Sequence, residues 1–146
     1  DVYKRQSQEW IDVEFEVALD SGCTDHVCSS DDVPGYVVEE SPGSRVGQHF
    51  VVGNGARIPN KGQSCLNLES GGSIANAIKS VFQIAKVSRP LMSVGKICDG
   101  GLFVNFADSQ ADVVDKDGHV VCTFQRQPGG LYVARLRLKS PFGRQA

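Results

Sequence analysis

Residues 11–22 read IDVEFEVALDSG, and this stretch decides the fold. Its odd-numbered positions up to 19 are all apolar, whereas positions 12, 14 and 16 are acidic. Alternation with a period of two predicts a β-strand with one buried face, and burial of that face fixes the register of the strand. The strand therefore delivers the carboxylate of Asp20 into a tight turn, in which Gly22 leaves space beside the carboxylate and Ser21 can hydrogen-bond across the turn.

An aspartate placed in this way suits acid and base chemistry on a water molecule, provided that a second group shares the proton transfers. Asp-Ser-Gly is also ordinary turn sequence, so the motif taken alone leaves a plain surface turn open. Ser21 is not expected to be a nucleophile, because the sequence around it lacks the Gly-x-Ser-x-Gly pattern that exposes a catalytic serine.

Length and composition restrict the class of protein. A chain of 146 residues with 40% hydrophobic content is sufficient for one domain with a core and too short for two domains of ordinary size. Sixteen glycines and short apolar runs between turn signals favour a mostly β domain. The net charge of -2 and the lack of a basic run give no indication of a nucleic-acid or charged membrane surface as partner. No apolar run approaches the roughly 18 residues of a membrane span.

The five cysteines are an odd number and are scattered along the chain, so they do not suggest a disulfide framework. Cys23 and Cys28 bracket Asp25 and His26, but the sequence offers no second pair of ligands at a spacing typical of zinc. We therefore predict neither a metal nor another cofactor, and we expect His26 to form a polar pair with Asp25 in a loop. Cysteines that serve as small buried apolar residues are typical of a reducing compartment, so we expect an intracellular, cytoplasmic protein.

Domain boundaries follow from where the periodic patterns begin and end. Residues 1–7 fit no periodicity and are expected to be a non-native or disordered leader. Residues 8–139 are predicted to form a single domain, in which residues 102–139 add a C-terminal β-meander. Residues 140–146 are expected to be a frayed tail.

Turn signals divide this domain into short elements. Residues 50–59 have apolar arms around a Gly-Asn-Gly tip, which predicts a β-hairpin. A short strand is expected over residues 36–38, between two loops rich in acidic residues. Residues 91–98 are apolar at helical spacing, follow Pro90 and end before a pair of glycines, so we predict one short helix there with a glycine C-cap.

The order of four motifs resembles the protease region of copia-type retrotransposon polyproteins, which is a retropepsin-like aspartic protease. The resemblance spans residues 10–133. It implies the acid protease fold of retropepsins, a closed β-barrel, and a hydrolase that cleaves peptide bonds in a polyprotein without a cofactor. The four motifs are DSG at residues 20–22, VGNGARIP at residues 52–59, PLMSVGKIC at residues 90–98 and GLYV at residues 130–133.

Carried over residue by residue, the resemblance assigns the catalytic triplet. It makes Asp20 the catalytic aspartate, Ser21 the residue that braces two active-site turns against each other, and Gly22 the third member of the triplet. Residues 91–95 would correspond to the apolar segment that runs beneath the catalytic turn.

The resemblance also implies substrate contacts after the catalytic turn and at the tip of a flap. Cys23 stands where the family usually has alanine, and Asp25 follows one residue later than the acidic residue with which many retropepsins grip the substrate backbone. The family's Gly-Arg-Asn or Gly-Arg-Asp is matched here only by Gly95-Lys96. The implied substrate-binding residues are Cys23, Thr24 and Asp25 after the turn, and Gly53, Asn54 and Gly55 at the flap tip.

A catalytic dyad needs two carboxylates that share one proton, and the chain has one complete triplet. The nearest second copy, Asp108-Ser109-Gln110, carries glutamine where glycine must leave space. We therefore predict a homodimer in which Asp20 meets Asp20 of the partner, with an internal pseudo-dimer as the less favoured arrangement. The predicted function is that of an aspartic endopeptidase; the alternative is a catalytically inactive retropepsin-like domain that dimerises or binds peptides.

Overall fold

The computed structural model describes residues 11–71 and 77–141, which form eleven strands and two short α-helices. The predicted leader at residues 1–7 lies outside these described residues. The strands of the first half are β1 Asp12–Asp20, β2 Val27–Cys28, β3 His49–Val51, β4 Arg57–Pro59, β5 Gly62–Glu69 and β6 Ala77–Ile84. The later strands are β7 Leu91–Ser93, β8 Phe103–Phe106, β9 Gln110–Val114, β10 Val120–Arg126 and β11 Tyr132–Lys139. The helices are α1 Pro42–Arg45 and α2 Val94–Asp99, and Ser30–Asp32 form one turn of 3₁₀ helix.

The mostly β class is confirmed, but the prediction of one short helix over residues 91–98 is wrong in two respects. Residues 91–93 are strand β7, and the helix begins only at Val94 because the Ser93 side chain accepts a hydrogen bond from the Lys96 amide and caps the helix. A second helix, α1, also exists. It begins after Ser41, which forms a capping box with Ser44 and precedes a proline at the first helical position.

The predicted strand over residues 36–38 is absent. That segment is extended without ladder partners, and the nearest pairing is a single bridge between Glu39 and Gln63. The segment is instead fixed by Tyr36, whose hydroxyl donates a hydrogen bond to the Lys139 carbonyl and accepts one from the Asn67 amide. A side chain thus replaces the expected backbone ladder.

Strand β1 shows the alternation that its sequence predicts. Phe15, Val17 and Leu19 are buried and the acidic residues between them are exposed. Ala18 is also buried, because β1 has neighbours along both edges: β11 pairs with it antiparallel from Asp12 to Ala18, and β7 pairs with it parallel from Ala18 to Asp20.

The strand pairings return to their starting point. Following hydrogen-bonded neighbours from β1 leads through β7, β2, β6, β5 and β11 and back to β1, so these six strands form a closed cycle. Strands β10, β9 and β8 continue outward from β11 as an antiparallel meander, as predicted for the C-terminal part. The hairpin of β3 and β4 is a separate two-stranded sheet, which agrees with the predicted hairpin.

One apolar core lies beneath the cycle and the meander. Its largest fully buried members are Phe15, Phe82, Phe124, Leu66, Leu68, Ile84, Leu136 and Leu138. Residues 102–139 thus share a core with the first half of the chain. Ser140, which was assigned to the frayed tail, is buried, and its carbonyl accepts a hydrogen bond from the Asn67 side chain at 2.8 Å. No helix within the described ranges is long and apolar enough to cross a membrane.

We expect the substitution Leu136→Ala to lower the free energy of unfolding by about 2–5 kcal/mol, because it leaves a cavity in a packed core. Leu136 is 1% exposed and lies opposite Phe15 in the β11–β1 ladder. Urea denaturation would measure the change. The matched control is Arg135→Ala on the exposed face of the same strand, where loss of the solvated ion pair with Glu16 should cost less than about 1 kcal/mol. Equal, small effects of both substitutions would show that β11 is not part of the cooperative unit.

Candidate active site

The Asp20 turn lies at the end of β1 and beside β7. Asp20 is the register partner of Ser93 in the parallel pairing, and Ser21 and Gly22 follow it as an exposed turn. The Gly22 amide donates a hydrogen bond to Asp20 Oδ1 at 2.8 Å. This bond orients the carboxylate.

Gly22 does not have an unusual backbone conformation. Its φ is not in the left-handed region, so an L residue fits the backbone. A Cβ at Gly22 would lie 3.4 Å from Asp20 Oδ1. This is an ordinary van der Waals distance, so a small side chain at position 22 would lie against the carboxylate without displacing it.

The residues after the turn are held by the β7–α2 junction. The Cys23 carbonyl accepts a hydrogen bond from the Ser93 hydroxyl at 2.6 Å, and burial raises the pKa of the half-buried Cys23 thiol. Asp25 Oδ1 lies 3.4 Å from Lys96 Nζ, whereas Thr24 is exposed. Lys96 therefore forms an ion pair with Asp25, the acidic residue to which the resemblance assigned a substrate contact.

Sequence analysis did not identify Ser93, and it predicted the wrong partner for His26. Ser93 is fully buried, and its amide donates a hydrogen bond to His26 Nδ1 at 2.9 Å. The expected pairing of His26 with Asp25 is wrong, because Asp25 forms its ion pair with Lys96 and His26 hydrogen-bonds to the backbone of β7. Serine is among the residues preferred at a helix N-cap, and this preference could have placed the start of the helix after Ser93.

The hairpin tip is exposed and has the geometry of a three-residue turn. Gly55 donates a hydrogen bond to the Val52 carbonyl, and the Asn54 side chain accepts one from the Ala56 amide. Gly55 has a φ of +84°, which L residues rarely adopt, whereas Gly53 has no such requirement. No atom outside the immediate chain neighbours lies within 4 Å of a Cβ placed at either glycine.

The root of the hairpin, in contrast, is fixed. Asn60 is buried, and its amide nitrogen donates hydrogen bonds to Gln48 Oε1 at 3.0 Å and to Gln83 Oε1 at 2.9 Å. Its Oδ1 accepts a hydrogen bond from the Gly62 amide. The hairpin is therefore anchored to the large sheet at one end and free at the other. No hydrogen bond or ion pair in the described ranges joins its tip to the Asp20 turn.

Other sequence candidates lie apart from this site. Asp108 and Ser109 form the exposed turn between β8 and β9, and β10 and β11 separate those strands from β1 in the order of the sheet. A cleft of about 510 Å³ lies against the first half of β1, but its lining contains none of the predicted catalytic or substrate-binding residues.

The cysteines and the acidic turns add no further chemistry to the site. All five cysteines are free; Cys28 and Cys122 are buried as expected, and burial raises the pKa of Cys122 to about 11. Cys65 and Cys98 are exposed, contrary to the expectation of buried cysteines. The ligand atoms of Asp115, Asp117 and His119 lie within 4.8 Å of one another in an exposed turn, where Asp115 already accepts two backbone hydrogen bonds.

No family model, curated protein or solved structure matches this chain. Three features of the described residues bear on function: an oriented aspartate at the end of a buried strand, a turn held by Ser93, and a hairpin anchored at its root.

Proposed function

We propose that this chain is an aspartic endopeptidase of the retropepsin type, in which two copies of the chain each contribute Asp20 to one active site. The observation that carries the proposal is the position of Asp20. Its carboxylate stands at the end of a buried strand, is oriented by the Gly22 amide, and lies beside the parallel strand β7 on a turn whose outer side is exposed.

The chemistry requires the second copy. Two carboxylates held close together cannot both ionise, so they share one proton. The ionised aspartate removes a proton from water, whose oxygen attacks the carbonyl carbon of the peptide, and the protonated aspartate donates its proton to the carbonyl oxygen. The aspartate that took the proton from water then gives it to the amide nitrogen, and the carbon–nitrogen bond breaks. The other aspartate regains its proton from a hydroxyl of the intermediate, which leaves a carboxylic acid and an amine as products. A two-fold axis through the Asp20 turns would provide the pair.

Two features of the fold support this assignment. A closed cycle of six strands is the connectivity that a small β-barrel requires. Residues 91–93 run parallel to the end of β1 directly beside the Asp20 turn, which is where the resemblance to the copia-type proteases would put the apolar segment. Both features are independent of the Asp-Ser-Gly motif itself.

The substrate is an extended peptide, and the polyprotein of a retrotransposon-type element is the substrate that the motif order favours. A cleft for such a peptide would form between two copies of the chain, around the paired Asp20 turns. The hairpin would close over the peptide as a flap, since it is anchored at Asn60 and free at Gly53-Asn54-Gly55. The proposed chemistry needs no cofactor.

Substitution of Asp20 by asparagine tests the catalytic assignment. Asparagine keeps an acceptor for the Gly22 amide but cannot exchange a proton, so hydrolysis of an unstructured protein at pH about 5 should fall by roughly 10³-fold or more. Circular dichroism should show an unchanged fold. The matched control is Asp108→Asn, which alters the other Asp-Ser pair and should leave hydrolysis unchanged. Equal cleavage by wild type and Asp20→Asn would refute the assignment, and a folded wild type that cleaves nothing would favour an inactive peptide-binding domain.

A second prediction concerns assembly. Because only the dimer holds both carboxylates, specific activity should rise with protein concentration around the dimer dissociation constant. An excess of the Asp20→Asn protein should lower the activity of a fixed amount of wild type, since mixed dimers lack one carboxylate. Sedimentation velocity at the assay concentrations would relate activity to the dimer fraction. A monomer with full activity would contradict the shared site.

A substitution at the hairpin tip can separate an effect on hydrolysis from an effect on the stability of the protein. Gly53 has space around it and an ordinary φ, so Gly53→Val should change the free energy of unfolding by less than about 0.5 kcal/mol. If the tip closes over the peptide, the branched side chain should nevertheless reduce hydrolysis.

A matched pair of glycines controls for backbone strain in this experiment. Gly55 and Gly118 have φ of +84° and +85° and equally open surroundings, so replacement of either by alanine should cost about 1–2 kcal/mol of stability. Only the substitution at Gly55 should affect hydrolysis. Unchanged turnover in both Gly53→Val and Gly55→Ala would remove the hairpin from the site.

A further inference from the structure

His26 connects the loop that follows the Asp20 turn to strand β7. Its Nδ1 accepts a hydrogen bond from the Ser93 amide at 2.9 Å, and its carbonyl accepts one from the Gln83 amide of β6 at 2.8 Å. The imidazole ring packs against Phe82, with the ring centroids 5.1 Å apart. His26 is thus fixed on three sides within the sheet that carries Asp20.

Ser93 links His26 to the Asp20 turn. It is fully buried, its amide is held by His26, and its hydroxyl donates a hydrogen bond to the Cys23 carbonyl at 2.6 Å. In the parallel ladder it is also the partner of Asp20. A displacement of Ser93 would therefore act on both ends of the four-residue segment from Asp20 to Cys23.

The direction of the hydrogen bond defines the protonation state of His26. A backbone amide can only donate, so Nδ1 must carry no proton, and the neutral ring holds its hydrogen on Nε2. Protonation would place a hydrogen on Nδ1, opposite the Ser93 N–H. The two donors would repel each other, and the buried Ser93 amide would be left without an acceptor.

We propose that His26 is a positioning residue for the hydrolysis proposed above: its neutral imidazole holds the Asp20 turn against β7, and its protonation sets the acid limit of activity. This inference rests on the proposed function. The sequence around His26 did not indicate this role.

The surroundings of His26 favour the neutral ring. Burial lowers its pKa from 6.5 to about 4; the Lys96 ammonium acts in the same direction, and the Asp25 carboxylate opposes them. These are the charged groups that face His26, from α2 and from its own loop, whereas β6 and β7 contribute Phe82 and Ser93. The folded state therefore keeps Nδ1 as an acceptor down to a pH of about 4, and the contact is lost as the pH falls below this value.

The test compares two substitutions of His26. Asparagine places an amide oxygen close to the position of Nδ1 and does not titrate, whereas alanine removes the acceptor. We expect His26→Ala to lower kcat by about 10- to 100-fold with a smaller change in KM, because the turn is misplaced, and His26→Asn to recover most of this loss. Wild-type kcat should fall below pH about 4, and His26→Asn should lack this fall. The matched control is His119→Asn, at an exposed turn, which should behave as wild type.

A second readout does not depend on activity. In the Asp20→Asn protein, where Asp20 cannot titrate, the amide resonances of Ser93 and Gly22 should shift with a midpoint at pH about 4. The shift should be absent from the Asp20→Asn, His26→Asn double variant. If the amide resonances of Ser93 and Gly22 shift with pH in the same way with and without His26, the inference is wrong even if the wild type is an active protease.

The outcomes separate this inference from the proposed function. An inactive wild type, or an active Asp20→Asn protein, would refute the proposed protease and with it the catalytic consequence drawn for His26. An active wild type with an inactive Asp20→Asn variant, but with equal kcat and pH profiles for His26→Ala and wild type, would refute the role of His26 alone. Rescue by asparagine together with the amide titration would support it.

Discussion

The parallel pairing of β1 with β7 is the constraint on which the rest of this structure depends. Parallel neighbours cannot be joined by a tight turn, so the chain must make a long crossover between them. All of residues 21–90 form that crossover, and it contains β2, the hairpin, β5 and β6. Because β7 has only three residues, its position beside β1 depends on side-chain contacts as well as on the ladder. Ser93 provides them through its bonds to Cys23 and His26.

The opposite edge of β1 shows which interactions stabilise the fold. Several ion pairs join the exposed faces of β1 and β11, and the guanidinium of Arg137, with the Lys139 ammonium, lowers the pKa of Asp12. Such solvated pairs contribute little to stability. The buried face of the same ladder, where Phe15 lies opposite Leu136, removes large apolar surfaces from water and contributes far more.

Several elements that local sequence determines were predicted, but helix α1, which depends on a local capping box and a proline, was missed. The contacts that depend on distant partners were not predicted. Strand β1 follows from its alternation and the hairpin from its Gly-Asn-Gly tip, and the Asp20 turn was placed correctly at the end of β1. Residues 91–98 were ambiguous, because a short apolar run suits a strand or a helix equally, and only the pairing with β1 decides that it begins as a strand. The partners of His26 and Asp25 lie about 70 residues away in the chain, and no local pattern relates them. The same holds for Asp12 and Lys139, which meet across nearly the whole domain.

The position of β11 between β1 and β5 has a consequence for synthesis on the ribosome. Strand β1 is made well before β11, the strand that covers its long edge and ends only at Lys139. At ordinary rates of translation the nascent chain spends on the order of ten seconds with that edge unpaired. During this interval the hydrogen-bonding groups of β1 are open to chaperones or to other strands. The six-strand cycle can close only after β11 has left the exit tunnel, so the order of synthesis delays completion of the sheet that carries Asp20.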